Sequence, residues 1–190
     1  MRIISGSFKG KKILQPIDKL TRPLRDMVKE SIFNLLRHSN KISLNIEMSN
    51  VLDLFSGSGS FGLECISRGA RAVTFIENYP KAINILKKNI SKLDLENRSK
   101  IINENCFEYF SSNKKTYDKY DLIFIDPPYK EKNINLILDA IREKKILNDN
   151  GLIIIHRHKK DKINITDKLK IIDKRLYGVS KIIIGRLSFG

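Results

Sequence analysis

Val51-Leu52-Asp53-Leu54-Phe55-Ser56-Gly57-Ser58-Gly59-Ser60-Phe61-Gly62 decides the fold. The stretch opens as an apolar strand, bends through glycines and leaves as a helix. A strand that turns sharply into a helix belongs to a βαβ unit, and the glycines allow both the tight turn and close approach of the backbone to a ligand at the helix N-terminus. Working outward, strands and helices keep alternating. Val51–Phe55 reads as the first strand, with a helix from about Gly59 to Arg68; Ala72–Glu77 is the second strand, followed by a helix over Pro80–Leu93 that turns Ile83, Leu86, Ile90 and Leu93 inward. Lys100–Asn103 is a short third strand, Leu122–Asp126 the fourth with a helix near Ile134–Lys144, and Gly151–His156 the fifth. Two β-rich runs, Leu169–Leu176 and Ser180–Leu187, joined through Tyr177-Gly178-Val179, read as an antiparallel hairpin closing the sheet edge. The expectation is an α/β fold of Rossmann-like type: a seven-stranded, mostly parallel sheet with an antiparallel C-terminal strand and right-handed crossovers, preceded by a short N-terminal arm and helix.

Upstream of the sheet, residues 1–20 mix basic residues with Gly6, Gly10 and Pro16 and read as an extended arm or short hairpin. Asp26 is placed to cap a helix running to about Arg37, with Val28, Ile32, Leu35 and Leu36 on one face, and residues 39–49 read as a polar loop. The chain thus divides into an arm-and-helix region, 1–49, and an α/β domain, 50–190. The formal net charge is +15, and its distribution says more than its size. Residues 1–50 carry 10 Lys and Arg against 4 Asp and Glu, residues 51–130 carry 12 against 10, and residues 131–190 carry 14 against 7. A nearly neutral segment holding the glycine bend is flanked by two basic ones, which suits a small-ligand domain whose outer elements hold a nucleic acid. No apolar stretch reaches the ~18 residues of a membrane span, and Met1–Gly6 does not read as a secretory signal. Cys65 and Cys106 have neither C-x-x-C spacing nor a nearby histidine cluster, so they read as reduced core thiols of a cytoplasmic protein that binds no metal.

Asp126-Pro127-Pro128-Tyr129 ends the apolar run Leu122–Ile125 and so belongs at the carboxyl edge of the sheet, where open α/β folds place their chemistry. Successive prolines fix φ and keep their carbonyls while lacking N–H groups. The turn therefore offers one carboxylate, backbone acceptors and an aromatic face, a set suited to a planar amine: acceptors for its hydrogens and a ring to stack on its base. Gly57, Gly59 and Gly62 satisfy G-x-G-x-x-G, and Glu77 ends the second strand where a ribose hydroxyl would be gripped. That fingerprint alone admits NAD, FAD or S-adenosylmethionine. Asp53 separates them, because a carboxylate just before the bend repels a pyrophosphate but attracts the ammonium of a methionine moiety. Asn105 and Cys106, after the third strand, read either as contacts to an adenine rim or, for Asn105, as a helix cap.

With both motifs placed, the chain resembles the bacterial 16S ribosomal RNA guanine-N2 methyltransferase family, within the class I S-adenosylmethionine-dependent methyltransferases. The likeness runs through Arg2-Ile3-Ile4-Ser5-Gly6-Ser7-Phe8-Lys9-Gly10-Lys11, Arg22-Pro23 to Asp26, Val28-Lys29-Glu30, Phe33-Asn34, the Asp53–Gly59 bend, Phe75-Ile76-Glu77, Asn105, Asp126–Tyr129 and Tyr177-Gly178. The arm and the Arg-Pro segment are its specific part, because the D-P-P-Y turn also occurs in DNA adenine methyltransferases. The resemblance implies that Asp53, Phe55, Gly57, Gly59, Glu77, Asn78, Asn105, Cys106 and Asp126 hold S-adenosyl-L-methionine. It implies that Asp126, Pro127, Pro128 and Tyr129 hold the target base. It further implies that residues 1–38, including Arg2, Lys9, Lys11, Lys12, Arg22 and Arg25, grip 16S ribosomal RNA, naked or within an assembling small subunit. No metal is implied, and a cytoplasmic monomer is expected. The chain departs from the family pattern at Leu24 and Arg25, where Thr or Ser usually follows Arg-Pro. It also departs at Met27, in place of a common arginine, and at His156-Arg157-His158, where an acidic residue often ends strand five.

Other readings stay open. A DNA adenine-N6 methyltransferase uses the same turn but usually carries a separate target-recognition region, for which 190 residues leave little room. A protein-glutamine methyltransferase tends to have Asn at the place of Asp126 and does not need basic ends. A non-catalytic RNA-binding module of this shape would tolerate the loss of Asp53 or Asp126, and both are present. His38, His156 and His158 show no triad-like arrangement and read as surface or rim residues.

Overall fold

The computed structural model describes residues 1–17, 24–42, 44–111, 116–162, 164–165 and 167–188. Its elements follow in the order α1 (Asp26–His38), β1 (Asn50–Leu54), α2 (Ser60–Ser67), β2 (Ala72–Glu77), α3 (Pro80–Lys92), β3 (Ser99–Asn103), α4 (Cys106–Ser111), β4 (Tyr120–Ile125), α5 (Ile134–Glu143), β5 (Leu147–His158), β6 (Leu169–Tyr177) and β7 (Ser180–Leu187). The strands form one sheet in the order β3-β2-β1-β4-β5-β7-β6. β1 pairs in parallel with β2 and β4, β2 with β3, and β4 with β5, whereas β7 lies antiparallel between β5 and β6. This is the seven-stranded α/β sheet expected from the sequence, with its antiparallel C-terminal strand. The chain steps outward from β1 to β3 and then returns to β4, so the order reverses between β1 and β4. Open sheets bind ligands in the crevice at such a switch point, beyond the carboxyl ends of the strands.

Alternation along the central strands sorts their side chains into two apolar layers. Val51, Leu122, Phe124, Leu152, Ile154 and Ile182 pack with α1, α2 and α3, while Leu52, Leu54, Ile123, Ile125, Ile153 and Ile155 pack with α4 and α5. Phe61 of α2 ties the first layer together, its ring centroid 3.9 Å from that of Phe124 and 5.3 Å from that of Phe33, both stacked. Each such aromatic pair contributes about 0.5–1.5 kcal/mol beyond its buried area.

Three local expectations change. Asp26 is the first residue of α1 rather than its cap, and its side chain makes no capping bond; the carboxylate lies instead 3.9 Å from Arg2 Nε and 4.0 Å from Lys29 Nζ. β5 begins at Leu147, because Asn148-Asp149-Asn150, turn-like in composition, continues the strand past an irregularity opposite Tyr120 and Leu122. The short α4 joins the elements read from the sequence, and its own Cys106, Tyr109 and Phe110 are buried.

The arm is part of the core. Its first strand-like segment and its return are bridged at Arg2 and Lys12, and the loop between them lies along α2. At the start of α2, Lys29 Nζ donates to Arg2 O at 2.8 Å and to Ser60 Oγ at 3.2 Å. Midway, the N–H groups of Ile4 and Ser5 donate to the Glu64 carboxylate at 2.8 and 3.0 Å. At the end of α2, the N–H groups of Ser7 and Phe8 donate to Ser67 O and Ser67 Oγ. Ile3 and Ile13 join the same apolar layer as α1 and the sheet. Lys29 and Glu64, both with fully buried side chains, pair at 3.5 Å, and burial lowers the lysine's pKa against the opposing pull of Glu64 and Asp26. Leu24, one of the departures from the family pattern, is 4% exposed and packs into this layer. Arg22 lies outside the described residues.

Candidate active site

Parallel pairing of β1 with β4 sets Leu54 beside Ile125, so the glycine bend and the acidic turn leave the sheet side by side. The Asp126 N–H donates to Leu54 O at 3.4 Å. Asp53 near the end of β1, Glu77 at the end of β2 and Asp126 just past β4 therefore come together at one edge. Asp53 is 1% exposed, and its Oδ2 accepts the Gly62 N–H at 3.0 Å. Burial pushes its carboxyl well above the usual carboxylate range, with smaller upward contributions from Asp126 and Glu77, against the opposing pull of the Gly62 amide.

The bend is held from below and left open above. Gly57 and Gly59 both have positive φ, 55° and 80°. A Cβ at Gly59 would sit 2.4 Å from Leu86 Cδ1, whereas a Cβ at Gly57 would meet nothing within 4 Å. Glu77 locks the bend: Oε2 accepts the Gly57 N–H at 2.7 Å, and Oε1 accepts those of Asn78 and Tyr79 at 2.9 Å each. The arm and α3 add a second lock, with Gln15 Nε2 donating to Ser58 Oγ at 3.1 Å and Asn89 Nδ2 of α3 to Ser58 O at 3.0 Å. Phe55, also at positive φ (57°), meets Phe107 edge-on at 6.3 Å and forms an aromatic wall. Asn105 takes the capping role, its Oδ1 accepting the Phe107 N–H at 2.8 Å. Cys106 is buried, and burial pushes its thiol up to about 12, so it packs rather than reacts.

This groove fits S-adenosylmethionine. Carboxylates converge where the cofactor would bring an ammonium and a sulfonium, and open space lies over Gly57 for a close approach. A carboxylate has about four acceptor positions, and Glu77 fills three of them with backbone N–H groups, leaving one for a ribose hydroxyl.

The Asp126-Pro127-Pro128-Tyr129 turn is gripped by two residues of β5, one of which corrects an expectation. His156 is 6% exposed rather than a surface residue, and it does form a triad-like chain. Its Nδ1 is 2.8 Å from Asp126 Oδ1 and its Nε2 is 2.9 Å from Ser180 Oγ. Arg157, 2% exposed, pairs with Asp161 and donates to the carbonyls of Pro128 (3.1 Å), Tyr129 (3.2 Å) and Glu131 (2.6 Å). The turn is thus fixed through its backbone. His158 and His156 meet the Tyr129 ring edge-on at 5.1 and 6.2 Å, while His38 is exposed on α1.

Among the basic residues, Arg2, Lys9, Lys11, Lys12 and Arg25 are all exposed. The arm separates them: Arg2 and Lys12 are bridged near the start of α2, at the edge that carries the site, while Lys9 belongs to the turn at its far end. Among the described residues, no group of three or more His, Cys, Asp or Glu is placed to hold a metal ion, and no helix is long and apolar enough to cross a membrane.

Comparison with known proteins places this geometry in a family. The profile described as Conserved hypothetical protein 95 matches residues 1–186. Ribosomal RNA small subunit methyltransferase D of Buchnera aphidicola (subspecies Acyrthosiphon pisum) is 36% identical over 175 residues, covering 92% of this chain and 86% of the relative. The protein of the same name from Haemophilus influenzae is 30% identical over 180 residues, covering 94% and 90%. The solved structure of yhhF from Escherichia coli superposes with a TM-score of 0.80 at 25% identity, covering 98% of this chain and 97% of that one. The chain belongs to the Conserved hypothetical protein 95 family, with curated relatives that include proteins named ribosomal RNA small subunit methyltransferase D, and has the fold of the class I S-adenosylmethionine-dependent methyltransferases.

Proposed function

We propose that this chain transfers a methyl group from S-adenosylmethionine to the exocyclic N2 amine of a guanine in 16S ribosomal RNA. The observation that carries the reading is the pairing of Leu54 with Ile125, which sets the glycine bend and the Asp126–Tyr129 turn at one rim. The cofactor supplies a methyl activated by a positively charged sulfur. Everything else falls to the chain. The lone pair of a guanine N2 is delocalised into the ring, so the amine is a poor nucleophile. Asp126 and the Pro127 carbonyl, which Arg157 leaves alone, accept its two hydrogens and localise the lone pair toward the methyl. Because Arg157 and His156 already hold the turn, those acceptors need little reorganisation during the reaction. Asp126 need not be a strong base, since the methylated ammonium is acidic enough to lose its proton to the carboxylate or to water. A stacked base cannot reach the turn, so it leaves the stack at a cost of a few kcal/mol, and stacking on Tyr129 returns about 1–3 kcal/mol.

The names of the curated relatives and the basic flanks support small-subunit ribosomal RNA as the substrate. The test is methylation of 16S RNA and of small subunits from a strain lacking the protein, with the product mapped by mass spectrometry. One new N2-methylguanine is expected from the wild type. Asp126→Ala should keep cofactor binding while losing at least ~10²-fold in turnover, as when one preorganised polar group is removed from an active site. Methylation of adenine N6 in a DNA panel, or undiminished turnover by Asp126→Ala, refutes the reading.

A further inference from the structure

We infer that His156 is a positioning residue for methyl transfer, holding the Asp126 carboxylate so that one oxygen faces the amine; the inference rests on the proposed methyl transfer to a guanine amine. Both nitrogens of this buried ring are engaged, Nδ1 with Asp126 Oδ1 at 2.8 Å and Nε2 with Ser180 Oγ at 2.9 Å. In the neutral ring both contacts are met when the Nδ1 N–H donates to the carboxylate and the Ser180 hydroxyl donates to Nε2. Asp126 Oδ1 is thereby tied. Oδ2 has no hydrogen bond among the described residues, and the side chain is 19% exposed, so Oδ2 is the oxygen presented to the rim.

The tie follows from sheet register. Ile125 of β4 pairs with Ile155 of β5, which sets the next residues, Asp126 and His156, beside each other. His156 in turn faces Ile182 of β7, and Ser180 lies two positions along on the same face of that strand. The terminal torsion of a carboxylate is broad and intrinsically loose. The His156 bond fixes it, and the edge contact with Tyr129 braces the ring on which the base stacks.

The experiment uses the full chain, single-turnover methylation of small-subunit RNA, cofactor titration and a thermal melt for each variant. His156→Ala should slow the methyl-transfer step by about 10–100-fold, the usual range for losing an orienting partner, with KM for RNA and cofactor Kd within about twofold of wild type. His156→Asn, whose amide nitrogen stands at the Nδ1 position, should restore most of the rate. His156→Gln, whose amide reaches the Nε2 position, should not. Ser180→Ala should lose only a few-fold, because the ring remains and merely gains access to its other tautomer. A wild-type rate for His156→Ala, no rescue by Asn, or parallel losses in KM, Kd and rate would overturn the inference. A wild-type chain that methylates no RNA would refute the proposed function itself, whereas an active wild type indifferent to His156 would refute only the positioning role.

Discussion

Alanine at Gly57 and at Gly59 separates two tasks that one glycine fingerprint performs. Both residues have positive φ, 55° and 80°, so alanine at either adds about 1–2 kcal/mol of backbone strain. At Gly59 the new methyl also lies 2.4 Å from Leu86 Cδ1 and 3.3 Å from Phe75 Cε1, both side chains fully buried. Overpacking of that kind adds about 1–3 kcal/mol, for a total of about 2–5 kcal/mol. At about 2–4 °C per kcal/mol for a chain of this size, Gly59→Ala should melt about 4–20 °C lower than wild type, and Gly57→Ala about 2–8 °C lower. The Gly57 methyl meets nothing within 4 Å. On the proposed reading it stands where the cofactor would approach the backbone, and blocking that approach should weaken binding by at least about tenfold, or 1.4 kcal/mol. Thermal melts of the free protein and calorimetric titration with S-adenosylmethionine should therefore show crossed effects. Gly59→Ala loses more stability, and Gly57→Ala loses more affinity. Wild-type affinity in Gly57→Ala, or a Gly59→Ala melt no lower than that of Gly57→Ala, refutes the reading of which side of the bend faces the cofactor.

Asp53→Asn keeps an acceptor for the Gly62 N–H and removes a carboxyl that burial, with Asp126 and Glu77 beside it, holds well above its usual range. A carboxyl whose folded pKa is raised contributes stability that is fully present below about pH 3.9 and is lost as pH rises through the folded value. The free variant should therefore melt above wild type at neutral pH, with the gap shrinking in acid, while binding the cofactor more weakly; an unchanged or lower neutral melt counts against this. Lys29→Met removes the ammonium that links Glu64 to the arm carbonyl of Arg2. The loss should be about 3 kcal/mol, the low end for breaking a buried pair, because Arg68 still reaches Glu64 at 2.8 Å. A urea-denaturation midpoint unchanged from wild type would show that the pair does not hold the arm. Lys12→Glu should weaken RNA binding and flatten its salt dependence more than Lys9→Glu, by about 0.7–0.9 in slope for each phosphate no longer neutralised. The reason is that α2, about 12 Å long, separates the two ends of the arm loop. Equal effects in filter-binding titrations across salt would show that RNA does not follow the catalytic edge.

What was legible in the chain is what local chemistry writes down. The apolar strands, the glycine bend and the double-proline turn each carry their reason in adjacent residues, and the order β1-helix-β2 with a later β4 is enough to bring bend and turn to one edge. Lys29 and Glu64 were illegible for the opposite reason: charged residues are almost never fully buried unless paired, and nothing within either helix announces a partner 35 positions away. α4 is only six residues long, too short for its periodicity to outweigh its aromatic content. The arm looked detachable because its bonds run to α2 some 60 positions on, so deleting it tests folding before it tests RNA binding. His156 lies between these cases. Leu122–Ile125 and Leu152–Ile155 are apolar runs of equal length, each ending in a polar residue, and parallel neighbours whose runs end level must bring those polar residues together. That inference needs only the adjacency of β4 and β5, which the alternating pattern already implies, plus the step of aligning the ends. A polar residue one position past a buried strand is therefore best read with the residue one position past its neighbour: in this sheet the Asp126 turn is legible on its own strand, but the bond that orients its carboxylate comes from His156 on the next.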